Sequence, residues 1–151
     1  DGEFLWQGAL CKKLVNFDFS ELAGRISFGN TNFNGPISFY RATLKGTSWF
    51  LGTKFQQASF VNTTFEGQAF FSFDYNTLQE RNRRNKGRQE LPLEHVSVFN
   101  KEANFTNAVF YRKTVFENVF FILFSCFFRC YIYFNEFFIF FQPYLCELLF
   151  F

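Results

Sequence analysis

No methionine occurs in this chain, histidine occurs once, and aspartate occurs only at Asp1, Asp18 and Asp74. A hydrolase or acid–base enzyme needs titratable groups that converge, and the single His95, in the linker near Pro92, belongs to no Cys or carboxylate constellation. It reads as an exposed loop residue. No GxSxG, HExxH or Walker-type GxxxxGK[ST] pattern is present. The four cysteines, Cys11, Cys126, Cys130 and Cys146, form no CxxC pair, which argues against structural zinc and against a disulfide framework. With no methionine and Asp1 at the start, the chain is expected to be a piece of a longer or processed protein. Its beginning lacks the basic and apolar regions of a secretory signal. Catalysis, metals and cofactors are therefore not expected.

Phenylalanine, in contrast, occurs 29 times, and it is spaced. A small or β-branched residue stands two positions before a large apolar one, and the unit recurs every five or six residues. The pairs run Val15/Phe17, Ser20/Leu22, Ile26/Phe28, Thr31/Phe33, Ile37/Phe39, Ala42/Leu44, Ser48/Phe50, Thr53/Phe55, Ala58/Phe60, Thr63/Phe65 and Ala69/Phe71. After a gap they return as Ala103/Phe105, Ala108/Phe110, Thr114/Phe116 and Val119/Phe121. Helices repeat at 3.6 residues and strands at 2, so a sustained period near five fits neither. It fits a solenoid, in which each repeat buries its large residue against the next coil. The expected core is Phe17, Leu22, Phe28, Phe33, Phe39, Leu44, Phe50, Phe55, Phe60, Phe65, Phe71, Phe105, Phe110 and Phe116. The Phe ladder is core, not a cofactor box, and Trp6 and Trp49 are expected at the core or its rim.

The six-residue intervals starting at Leu22, Phe33, Leu44 and Phe65 all carry glycine two residues after the large residue: Gly24, Gly35, Gly46 and Gly67. Glycine enters φ > 0 without a Cβ clash, so these four are expected to be turn glycines that absorb the extra residue. In five-residue intervals the same slot often holds Asn30, Gly52, Asn62, Asn107 or Asn118, and Asn is the next most tolerant of left-handed backbone. The interval from Phe110 to Phe116 breaks the pattern with Arg112.

Segments such as Ala58-Ser59-Phe60-Val61-Asn62, Ala103-Asn104-Phe105-Thr106-Asn107 and Ala108-Val109-Phe110 resemble the pentapeptide-repeat proteins, whose unit reads roughly Ala-(Asn/Asp)-(Leu/Phe)-X-X. Thr, Ile and Ser often replace Ala here, and Phe outnumbers Leu. The resemblance implies an all-β, right-handed quadrilateral β-helix of about four coils, four repeats to a coil, with the Phe and Leu side chains inward. The family is commonest in bacteria and cyanobacteria, so a cytoplasmic, bacterial protein is what the resemblance implies. The organisation expected is an N-terminal cap or partial coil over 1–14, repeats over 15–75, an insertion over 76–98, repeats again over 99–121 and an apolar tail over 122–151.

The insertion is basic: Arg81, Arg83, Arg84, Lys86 and Arg88 lie between Glu80 and Glu90, and without it the chain would be slightly acidic. Thr77-Leu78-Gln79-Glu80 has capping-box spacing, Gly87 is a stop signal, and Pro92 ends any continuation. A short exposed helix or ordered loop is expected. Its basic residues are the candidate partner contact, because the repeats themselves offer similar faces. A solvated insertion is the plainer reading, and without interleaved aromatics the stretch argues little for nucleic acid.

From Phe120 on, twelve of 32 residues are Phe and the five-residue phase is lost. Three readings stand. Residues 119–141 are long enough for a transmembrane helix, although Arg129, Asn135 and Glu136 are costly in lipid. The tail would otherwise be an apolar cap or homodimer seam over the last coil, irregular or helical, or sequence read out of frame from AT-rich DNA.

The leading functional expectation is a non-enzymatic scaffold or protein-interaction module. A membrane-tethered repeat domain is the alternative if the tail is genuine. Some members of the resembled family mimic B-form DNA and protect type II topoisomerases, but the few acids in these repeats and the basic insertion argue against that role here.

Overall fold

In a computed structural model of the protein, the described residues are 2–72, 96–116 and 119–122, together with the backbone of 125–126, 131–132 and 137–138. All their secondary structure is strand, and every strand pair is parallel. One face of the solenoid stacks β1 (Phe4–Leu5), β5 (Ile26–Ser27), β8 (Ser48–Trp49), β11 (Ala69–Phe70), β15 (Thr114–Val115) and β19 (Phe137–Phe138), in that order. The face that adjoins it, one corner earlier along the chain, stacks β4 (Glu21–Leu22), β7 (Thr43–Leu44), β10 (Thr64–Phe65), β14 (Val109–Phe110) and β18 (Tyr131–Ile132). The other two faces merge into one sheet. Its long strands β6 (Asn32–Ser38) and β9 (Lys54–Ser59) run on across a corner, with a register shift between Phe33 and Pro36. This is the expected β-solenoid, of about four turns.

The register sets the coil length. Phe4 pairs with Ile26 and Ile26 with Ser48, a step of 22 residues; Ser48 pairs with Ala69, a step of 21. Ala69 pairs with Thr114, a step of 45. That step is about two coil lengths, and the stack is described up to Ser72 and again from Val96. The expected insertion over 76–98 runs too far: Ser97 is buried and Val98 pairs with Lys54 and Phe120. Phe99, absent from the expected core, is fully buried. The helix expected from Thr77, and Arg81, Arg83, Arg84, Lys86, Arg88 and His95, lie outside the described residues.

Four columns of large side chains fill the bore. Phe28, Phe50, Phe71 and Phe116 stack ring on ring at 5.5, 4.6 and 4.3 Å. Phe33, Phe55, Phe99 and Phe121 do so at 5.6, 4.5 and 4.9 Å, and Phe17, Phe39, Phe60 and Phe105 at 5.0, 5.1 and 4.7 Å. The fourth column is Leu22, Leu44, Phe65 and Phe110. Columns meet edge to face, as at Phe39–Phe50 (88°) and Phe60–Phe71 (86°), the arrangement that ring quadrupoles favour. Phe17 and Leu22 are only half-buried because they belong to the first coil; the other expected core residues are fully buried.

The small residue of each repeat points inward too, and its variation has a use. Thr53 Oγ1 donates to the Phe28 carbonyl at 2.8 Å and Thr63 Oγ1 to the Phe39 carbonyl at 2.7 Å. Thr31 and Ser97 bond the Trp6 and Phe50 carbonyls in the same way. The Phe28 and Phe39 carbonyls also accept a backbone N–H from their own turn, Thr31 N at 3.0 Å and Ala42 N at 2.9 Å. A hydroxyl in the column thus fills the second lone pair of a buried carbonyl, which would otherwise cost free energy.

The tail departs from expectation where it is described. Phe120–Phe121, Ser125–Cys126, Tyr131–Ile132 and Phe137–Phe138 are short strands that extend the four faces in register. A transmembrane helix over 119–141 is contradicted at these residues, and no helix among the described residues is long and apolar enough to cross a membrane. Aromatic and β-branched residues suit strands, and each of these pairs finds a strand edge already in place.

Candidate interaction surface

The corners alternate in kind. At one kind, the backbone enters the left-handed region two residues after the inward anchor, at Gly8, Phe19, Asn30, Arg41, Gly52, Asn62 and Asn107, with φ between 55° and 67°. The turn closes with a bond from the residue after it back to the anchor, as from Ser20 N to Phe17 O at 3.1 Å and from Ala108 N to Phe105 O at 3.0 Å.

The four glycines of the six-residue intervals are not of this kind. None of Gly24, Gly35, Gly46 and Gly67 has positive φ, and Gly35 lies within β6. Their reason is proximity. A Cβ on Gly46 would sit 2.0 Å from Gly24 O, one on Gly67 2.2 Å from Gly46 O, and one on Gly35 2.4 Å from the Lys13 carbonyl. Adjacent coils touch backbone to backbone along that edge. The slot one coil beyond Gly67 is Arg112, whose Nε donates to Glu66 O at 3.1 Å.

Of the seven left-handed corners, five carry the Gly or Asn that such backbone favours. The two that do not, Phe19 and Arg41, are neighbours in the stack, since Phe19 N donates to Tyr40 O at 2.9 Å. Phe19 is 67% exposed. Its ring meets Tyr40 edge-on at 5.5 Å and 89°, and the Arg41 guanidinium lies 5.3 Å from the Tyr40 ring centre and 6.0 Å from that of Phe19. Asp18 holds this corner: its Oδ1 accepts from Ser38 Oγ at 2.5 Å and from Tyr40 N at 2.9 Å. Its charge is thereby engaged, and Arg41 forms no ion pair among the described residues. Further along the same corner Asn107 Nδ2 donates to Asn62 Oδ1 at 3.1 Å.

Two other cations of the described surface do have carboxylate partners. Arg25 lies 3.3 Å from Glu3 and Lys45 2.5 Å from Glu21; the Glu21 hydrogen bond raises the Lys45 pKa. Cys11 heads the Phe33 column, paired in register with Phe33, and burial pushes its thiol pKa up. Trp6 crowns the Phe28 column at 6.3 Å, while Trp49 faces outward and lies flat on Phe70 at 4.3 Å. Among the described residues no three His, Cys, Asp or Glu side chains converge as a metal site.

Parallel, four-sided coils around stacked inward rings define a repeat β-solenoid. The family profile for pentapeptide repeats (9 copies) matches residues 28–73. Residues 28–73 are pentapeptide repeats, and the same stacked geometry continues through residues 96–116. The chain matches no curated protein and no solved structure.

Proposed function

We propose that this chain is a non-enzymatic scaffold that holds a protein partner at the Phe19–Tyr40–Arg41 corner. The observation that supports this is the retention of two bulky side chains in left-handed slots. Such backbone costs a non-Gly residue roughly 1–2 kcal/mol, and strain kept against an available remedy points to use. The remedy is present in the same fold, at Asn30, Asn62 and Asn107. Aromatic and Arg side chains are the residues that most often carry binding energy, and a cation that forms no ion pair among the described residues fits an acidic and apolar stretch of a partner. The interior supports the non-catalytic part of the reading. Its bore is filled by rings, and the hydroxyls of Thr31, Thr53, Thr63 and Ser97 are already committed to carbonyls.

The test compares proteins captured by the full chain with those captured by Phe19→Asn/Arg41→Asn. A partner retained by the wild type and lost by the variant, with the variant's melting cooperative, is the expected result. Identical capture by both would remove the corner from the account.

A further inference from the structure

On the first face the outward side chains form a column in register: Leu5, Ser27, Trp49, Phe70 and Val115. Trp49 covers Phe70 at 4.3 Å with planes 14° apart. One coil earlier, where a further ring would continue the stack on the other face of Trp49, stands Ser27. The next outward position of that coil is Gly29, between Gln7 and Leu51. The second coil therefore contributes only a hydroxyl and a hydrogen between bulkier neighbours. What remains is a groove of about 270 Å³ across the face, far larger than the roughly 30 Å³ share of one water.

The groove's chemistry narrows its occupant. At one end Arg25 is neutralised by Glu3, through contacts of 3.3 and 3.4 Å. On the floor Ser27 Oγ accepts from Gln7 Nε2 at 3.0 Å. At the other end the Asn30 carboxamide lines the groove and makes no hydrogen bond within the protein among the described residues. A flat apolar wall, no net charge and an unused amide at the rim fit a neutral ring with one polar edge. Coils lie about 4.8 Å apart, so a ring at the level of Ser27 stacks on Trp49 much as Phe70 does from the other side.

We infer that this groove takes a tyrosine side chain of a protein partner, its ring flat on Trp49 and its hydroxyl toward Asn30. The inference rests on the scaffold reading for the source of that side chain. Its test does not, because the probe is a free amino-acid derivative.

In the ¹⁵N-labelled full chain there are two indole N–H signals, and Trp6→Phe identifies which belongs to Trp49. N-acetyl-tyrosinamide is expected to shift the Trp49 signal saturably, with a dissociation constant on the order of 1 mM. N-acetyl-leucinamide, similar in size without the ring, is expected to leave it in place. Ser27→Phe fills the missing level of the stack and is expected to abolish the shift while the chain still melts cooperatively. No saturable shift at Trp49, an equal shift with the leucine compound, or an undiminished shift in Ser27→Phe overturns the site. Any of these leaves the capture experiment at the Phe19 corner unaffected.

Discussion

Gly46 separates two explanations for glycine that look alike in a sequence. If it served a left-handed turn, Gly46→Asn would be mild and Gly46→Ala worse. The structure gives it no positive φ and places its absent Cβ 2.0 Å from Gly24 O, 2.5 Å from Gly24 C and 3.0 Å from Arg25 N. An ordinary contact of about 3.4 Å then requires the coils to part by about 1.4 Å at that edge. The bonds that tie them there, Lys45 N to Leu22 O at 2.9 Å and Ile26 N to Thr47 O at 3.0 Å, would stretch beyond 4 Å, past hydrogen-bonding range. Two such bonds, each about 1–2 kcal/mol when a partner is left unsatisfied, give a loss of about 2–4 kcal/mol. At about 2–4 °C per kcal/mol for a chain of this size, the midpoint falls by roughly 10 °C. Both Gly46→Ala and Gly46→Asn suffer it. Gly8 is the control, with φ +66° and nothing near its Cβ position, so Gly8→Asn costs a few tenths of a kcal/mol. Thermal unfolding followed by far-UV circular dichroism decides. Gly46→Asn melting near wild type would refute the close-approach argument.

Phe60 stacks on Phe39 and Phe105 at 5.1 and 4.7 Å, so Phe60→Ala is expected to cost about 3–5 kcal/mol in chemical denaturation; a loss under 1 kcal/mol would contradict the inward column. Arg41→Asn relieves about 1–2 kcal/mol of backbone cost and forfeits about 0.5–1 kcal/mol of exposed cation–π contact. It is expected to be at least as stable as wild type, and a drop above 1 kcal/mol would show that the corner is not strained. The Cys11 thiol, its pKa raised by burial, stays protonated to higher pH than a free thiol. Its alkylation at pH 8.5, read by peptide mass mapping, is expected to lag that of the unfolded chain. Because the folded pKa is the higher one, its stabilising contribution is complete below about pH 8.5 and is lost as pH rises through the folded value. Equal alkylation rates would contradict the shift.

The inward ladder was legible because a large apolar residue every five or six positions has one economical burial. The left-handed Asn corners were legible for the same local reason. Gly24, Gly35, Gly46 and Gly67 were misread because glycine serves φ > 0 and close approach equally well, and only stacked coordinates show which. Phe99 was hidden by its place at the edge of a basic, repeat-free stretch. The Ser97-Val98-Phe99 spacing, small residue two before Phe, was the signal that could have found it. The strands at Ser125–Cys126, Tyr131–Ile132 and Phe137–Phe138 escaped detection because dense Phe blurs any period, whereas an existing sheet edge supplies the template. The functional surface lies furthest from the sequence. Phe19 and Arg41 are 22 residues apart, and only the coil length makes them neighbours. Ser27 is an unremarkable serine until Trp49 and Phe70 stack beside it.

One solenoid runs in register through the residues on both sides of 73–95, so the corner column of Phe19, Arg41, Asn62 and Asn107 forms a single surface. Ser59 and Asn104, one on each side of that stretch of sequence, pair in register, at an inter-strand spacing of about 4.8 Å that a disulfide can span. Oxidation of Ser59→Cys/Asn104→Cys under native conditions should join the two peptides, and Ser59→Cys/Lys101→Cys should stay unjoined. The reverse pattern, or no link in a chain that still melts cooperatively, would contradict the stacking on which the whole surface depends.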